Sequence, residues 1–81
     1  MTRQHRVDEF CKLFSVALVE AITNHPDEYC YPIENVPVVV ERMRSAFMRD
    51  SYNHDSRAIK ATCKQLGIKH THKAIEAYFN T

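Results

Sequence analysis

The stretch Val7-Asp8-Glu9-Phe10-Cys11-Lys12-Leu13-Phe14-Ser15-Val16-Ala17-Leu18-Val19-Glu20-Ala21-Ile22-Thr23 decides how this chain folds. Val7, Phe10, Cys11, Phe14, Ala17, Leu18, Ala21 and Ile22 recur at steps of three and one, the stripe of an amphipathic helix. Leu13, Val16 and Val19 widen that stripe. A helix this apolar is expected to be the central packing element. Asp8 and Glu9 are placed in its first turn, where negative charge suits the helix dipole. Asn24 and Pro26 end it.

Outward from this helix, residues 24–35 read as a connector bracketed by Pro26 and Pro32. Pro26-Asp27-Glu28 suits a short helical turn, and Pro32 drives Tyr31 towards extended backbone. Tyr29, Cys30, Tyr31 and Ile33 are too apolar for a solvated loop. They are expected either to fold over the edge of the core or to form a Tyr29/Tyr31 contact surface for a protein partner. A second helix follows from about 36 to 49, with Asn35 as N-cap, Pro37 in its first turn and an apolar stripe of Val36, Val39, Val40, Met43, Ala46 and Phe47. Arg42, Arg44 and Arg49 decorate its polar side, and residues 50–54 form a loop. A third helix is expected over 56–66, capped by Asp55, with Ile59, Thr62, Cys63 and Leu66 inward. Gly67 takes the left-handed position that ends it. A final helix over 72–80, capped by Thr71, turns Ala74, Ile75, Tyr78 and Phe79 inward. The expectation is therefore one all-α domain over residues 1–81, a small bundle of four main helices.

Composition narrows the function. With 81 residues the chain makes one domain. A single Gly supplies neither the turns of a small β-barrel nor a phosphate-binding glycine loop. No apolar run approaches the ~18 residues of a membrane span, and no signal peptide is read at the N-terminus. Cys11, Cys30 and Cys63 are odd in number and widely spaced, which suits reduced thiols in a cytoplasmic protein better than a disulfide framework. Zinc would have to use Cys30 with His25, or Cys63 with His70 and His72, and neither spacing is a familiar finger. No metal or other cofactor is expected. No HExxH, GxSxG or evident carboxylate pair is present, so no catalysis is expected.

The formal net charge of +1 conceals a division. Residues 57–81 hold five bases and one acid, a net of +4, while residues 1–56 hold six bases and nine acids, a net of −3. The two parts sum to the +1 of the whole. The basic part coincides with a helix, a Gly turn and a second helix. Ala61 and Cys63 as small residues, then Leu66-Gly67-Ile68, resemble the C-terminal helix-turn-helix of Fis-like DNA-binding proteins. Small residues would let the second helix approach, Gly67 would permit the reversal, and Ile68 would plug the angle. The family carries an inward apolar residue where this chain has Lys73, with Ala74 and Ile75 following instead.

The resemblance implies that the start of the second helix faces double-stranded DNA through Lys69, His70, Thr71, His72 and Lys73, while Lys60 and Lys64 meet phosphates. It implies a regulator that binds without chemistry. A homodimer through the long first helix would double the basic patches. The alternative is a protein-interaction module or inhibitor that occludes a partner protein, with Tyr29 and Tyr31 in contact.

Overall fold

The computed structural model describes residues 2–81 and contains four α-helices, with no strand among the described residues. They are α1 (Arg3–Asn24), α2 (Val36–Met48), α3 (Arg57–Leu66) and α4 (His72–Phe79), with 3₁₀ turns at Pro26–Glu28 and Ile33–Asn35. The all-α bundle read from the periodicity is the fold found.

The 22 residues of α1 span roughly 33 Å at ~1.5 Å per residue. That matches the 34 Å long dimension of the molecule. The helices α2, α3 and α4 are each laid on α1, and α3 and α4 pack on α1 rather than chiefly on each other. All eight residues of the α1 stripe are buried. Phe47 of α2 lies at the centre of the core with no solvent exposure. Its ring meets Phe10 at 5.1 Å, Phe14 at 5.9 Å, Phe79 at 5.6 Å and Tyr52 at 5.0 Å between centroids. Most of these contacts are edge-to-face, the arrangement that ring quadrupoles prefer. From α3, Ala58, Ile59, Thr62 and Cys63 are buried. The Thr62 hydroxyl satisfies itself by donating to the Ala58 carbonyl at 2.7 Å.

Helix ends depart from the sequence reading by a few residues, each for an identifiable cause. The first helix starts at Arg3, not near Val7, because the Thr2 side chain accepts from the His5 N–H and caps it. Asp8 and Glu9 therefore lie beyond the first turn. Asp8 pairs with Arg44, and Glu9 accepts from Arg6 and from the Tyr78 hydroxyl. Val16 does not widen the buried stripe; it is 60% exposed. Asn35 makes no side-chain capping bond, because the 3₁₀ turn at Ile33–Asn35 already leads the chain into α2. Ser56, not Asp55, caps α3, accepting from the Ile59 N–H at 3.2 Å. The last helix ends at Phe79.

The Gly67 expectation is met in detail. Its φ is +75°. Its N–H donates to the Lys64 carbonyl at 3.2 Å, and the Ile68 N–H donates to the Cys63 carbonyl at 3.0 Å. This pair of bonds is a Schellman motif. A Cβ added at Gly67 would meet no atom within 4 Å. Gly67→Ala should therefore cost only the left-handed backbone penalty, about 1 kcal/mol. Phe47→Ala should cost about 3–5 kcal/mol by opening the core. Denaturant unfolding of both variants checks this ranking; equal losses would contradict it.

Candidate nucleic-acid interface

The basic C-terminal part is built from α3, the connection 67–71 and α4. Outward from the buried face of α3 stand Arg57, Lys60, Ala61 and Lys64. Ala61 is thus not a buried small residue as the motif reading has it; Ala58 and Cys63 fill that role. In α4, Ile75 and Phe79 are fully buried, Ala74 and Tyr78 are half-buried, and Lys73 is exposed. The helix accordingly turns Ile75 inward, two positions beyond the place where the resembling motif has its inward residue.

Ion pairing sharpens the charge picture. Arg57 donates to both carboxylate oxygens of Glu28, at 2.8 and 3.0 Å, and is neutralised there. Glu76, the only acid after residue 56, is held by Arg3 at 2.8 and 3.0 Å and by the Tyr52 hydroxyl at 2.5 Å. Burial pushes the Glu76 carboxyl up, but the bonds from Arg3 and Tyr52 outweigh it and hold the group below its ordinary range. What remains is four exposed lysines, Lys60, Lys64, Lys69 and Lys73, and none has an acidic partner among the described residues. Lys64 is in the last turn of α3, Lys69 in the connection and Lys73 in the first turn of α4.

The other candidate contacts divide. His70 is exposed. Thr71 uses its hydroxyl to accept from the Ala74 N–H at 3.2 Å, so its first role is the cap of α4. His72 is drawn back towards the body of the protein. Its Nε2 lies 2.5 Å from Asp50 Oδ1, and its ring tilts against Tyr52 at 5.5 Å. Asp50, His72 and Glu76 bring one ligand atom each within 4.8 Å of one another. Asp50 and His72 partner each other, and Glu76 is held from outside the cluster by Arg3 and Tyr52. Cys63, considered above with His70 and His72, is buried, and burial pushes its thiol up to about 11. Cys30 is exposed and free.

Tyr29 and Tyr31 fold against the core edge, half-buried and edge-to-face at 6.0 Å. Together with Phe14, Leu18, Val39 and Met43 they line an open apolar cavity of about 310 Å³.

The Arg3 network escaped the sequence reading. Arg3 also donates to the Phe47 carbonyl at 2.5 Å and lies 5.2 Å from the centre of the Phe79 ring. One guanidinium thus ties the start of α1 to the end of α2 and to α4. Residues 73 positions apart carry no local signal of such a bond. No known protein family, characterised protein or solved structure matches this chain. No helix among the described residues is long and apolar enough to cross a membrane.

Because Glu76 is held below its ordinary range, its contribution to stability is present above the unfolded carboxyl pKa of ~4.3 and is lost as pH falls through the folded value. At pH 7, Glu76→Gln should cost about 1–3 kcal/mol, the worth of charge-assisted bonds in a half-buried site. The gap between the two proteins should close on acidification. Thermal melts from neutral pH into the acid range check this; a gap that stays constant would contradict it.

Proposed function

We propose that this protein binds double-stranded DNA without catalysis, through α3, the 67–71 connection and the start of α4. The observation that carries the reading is the set of four exposed, acid-free lysines on α3, the 67–71 connection and α4, left after Arg57 and Glu76 have been neutralised within the chain. Lysine ammonium groups bind phosphate oxygens as point charges, and releasing condensed counterions from the duplex drives the association. Outside these four lysines the chain carries a net of −3, which opposes long-range attraction to phosphates, so binding is local and modest. Lys69 and Lys73 approach the duplex first in this reading, His70 reaches a groove edge or phosphate beside them, and Lys60 and Lys64 follow the backbone. Thr71 and His72 position the helix start through the cap and the Asp50 bond. Because α3 and α4 pack on α1 rather than chiefly on each other, the docking geometry of the resembling motif is not required.

A second reading, occlusion of a partner protein, is favoured by the apolar cavity behind Tyr29 and Tyr31. It commits to an apolar side chain of the partner seated in that cavity, against the two rings.

Binding to a mixed-sequence duplex should weaken steeply with salt. A slope of roughly −3 to −4 in log–log form is expected if all four lysines meet phosphates, at ~0.9 per contact. Lys69→Glu/Lys73→Glu should abolish binding at low salt while leaving the melting temperature within a few degrees. Fluorescence anisotropy and circular dichroism measure both. Unchanged affinity in the double variant would remove the proposed interface, and no duplex binding by the native chain at low salt would remove the DNA reading.

A further inference from the structure

The outward face of α2 carries a charge pattern of which the fold uses one member, Glu41, which accepts from Arg44 at 3.3 Å. Buried Val36, Val40 and Phe47 define the inner side of the helix. Opposite them, within an arc of roughly 100° at ~100° per residue, stand Val38, Glu41, Arg42 and Ser45, with Arg49 just past the end of the helix. All five are exposed, Val38 by 56%. Glu34, also exposed, lies on the 3₁₀ turn that leads into the helix. In chain order the stripe reads Glu34, Val38, Glu41, then Arg42, Ser45, Arg49. These positions mirror one another about the peptide bond between Glu41 and Arg42, and each acid mirrors a base.

Two further observations single out the stripe. Arg3, Arg6, Arg44 and Arg57 each hold an acid of the same chain. Arg42 and Arg49, the remaining two of the six arginines, hold none among the described residues. Ser45 is small, and a shallow depression lies between it, Pro37 and Val38, flanked by Glu41 and Arg42. The helix dipole favours acids early and bases late, but only within the end turns. It does not account for Arg42 at the centre, whose neighbour Glu41 already accepts from Arg44.

We propose that two copies of this chain associate through these faces, antiparallel about a two-fold axis that passes between Glu41 and Arg42. In that register Glu34 of each copy faces Arg49 of the other, Glu41 faces Arg42, and Val38 enters the hollow over Ser45. Such a contact is isologous, the same surface meeting itself. The mirrored signs choose the occupant. A uniformly acidic or basic partner would be opposed by half of the stripe, whereas a second copy satisfies all of it. Charges flanking a helical seam set pairing and orientation in this way in coiled coils. The seam is one helix wide, short of a standard interface of ~1,200–2,000 Å², so the dimer is weak and salt-sensitive. The apolar stripe of α1 is spent inside the chain and is not free to pair with a second copy.

The association is a property of the free protein and is read without DNA. Sedimentation equilibrium at low salt, from roughly 10 µM to 1 mM, should show native chains self-associating. Arg42→Glu/Arg49→Glu makes the stripe wholly acidic, and Glu34→Arg/Glu41→Arg makes it wholly basic. Each alone should associate at least about tenfold more weakly than the native chain, and an equimolar mixture of the two should recover association as a heterodimer. All four positions are exposed, and circular dichroism of each variant checks that the fold is kept. A native chain that stays monomeric at the highest concentration would overturn the proposal. So would variants that self-associate as tightly as the native chain, or a mixture no tighter than its components.

Discussion

The ring of Phe47 is the point on which this small structure turns. It sits at the end of α2 and is enclosed by Phe10 and Phe14 from α1, Phe79 from α4 and Tyr52 from the intervening loop. A domain of this size buries only about 60% of the surface its unfolded chain exposes, so a concentrated aromatic centre carries much of its stability. The same centre fixes what lies around it. With Phe79 seated on Phe47, α4 must present Lys73 to solvent. With Tyr52 seated there, its hydroxyl reaches Glu76.

Arg3 extends that constraint from packing into electrostatics. It binds the carbonyl of Phe47, the carboxylate of Glu76 and the face of Phe79, and so closes the molecule where its N- and C-terminal helices meet. Its effect on the surface is larger than its own charge. Neutralising Glu76 removes the only acid of the C-terminal part from the field that a phosphate would meet, just as Glu28 removes Arg57 from the opposite balance. In a chain of nearly zero net charge, the C-terminal part thereby keeps four exposed lysines with no acidic partner among the described residues.

Much of this was legible in the residues. The stripe from Val7 to Ile22 is entirely buried, Gly67 adopts the left-handed conformation its place after Leu66 required, and Thr71 caps α4. These features are local, and period and capping chemistry reveal them. The start of α1 was less legible, because Arg3 and Arg6 read as polar tail residues until Glu76 and Glu9 are brought beside them. The motif asks for Ala61 as a small residue facing the next helix, and the spacing of Ala58, Ile59, Thr62 and Cys63 puts it outside. Among the candidate contact residues, the exposure of Lys60, Lys64, Lys69 and Lys73 followed from their place on a polar face. The engagement of His72 with Asp50 did not, since it depends on a loop conformation that includes Asp50 at a φ of +57°.

The central proposal is that the acid-free lysines of α3, the 67–71 connection and α4 meet DNA. A ¹H–¹⁵N correlation spectrum recorded during titration with a short duplex at low salt tests it residue by residue. The account predicts shift changes concentrated at the amides of Lys60, Lys64 and residues 67–73, with the core amides near Phe47 unmoved. A spectrum that does not change, or changes concentrated at Tyr29 and Tyr31, would contradict it.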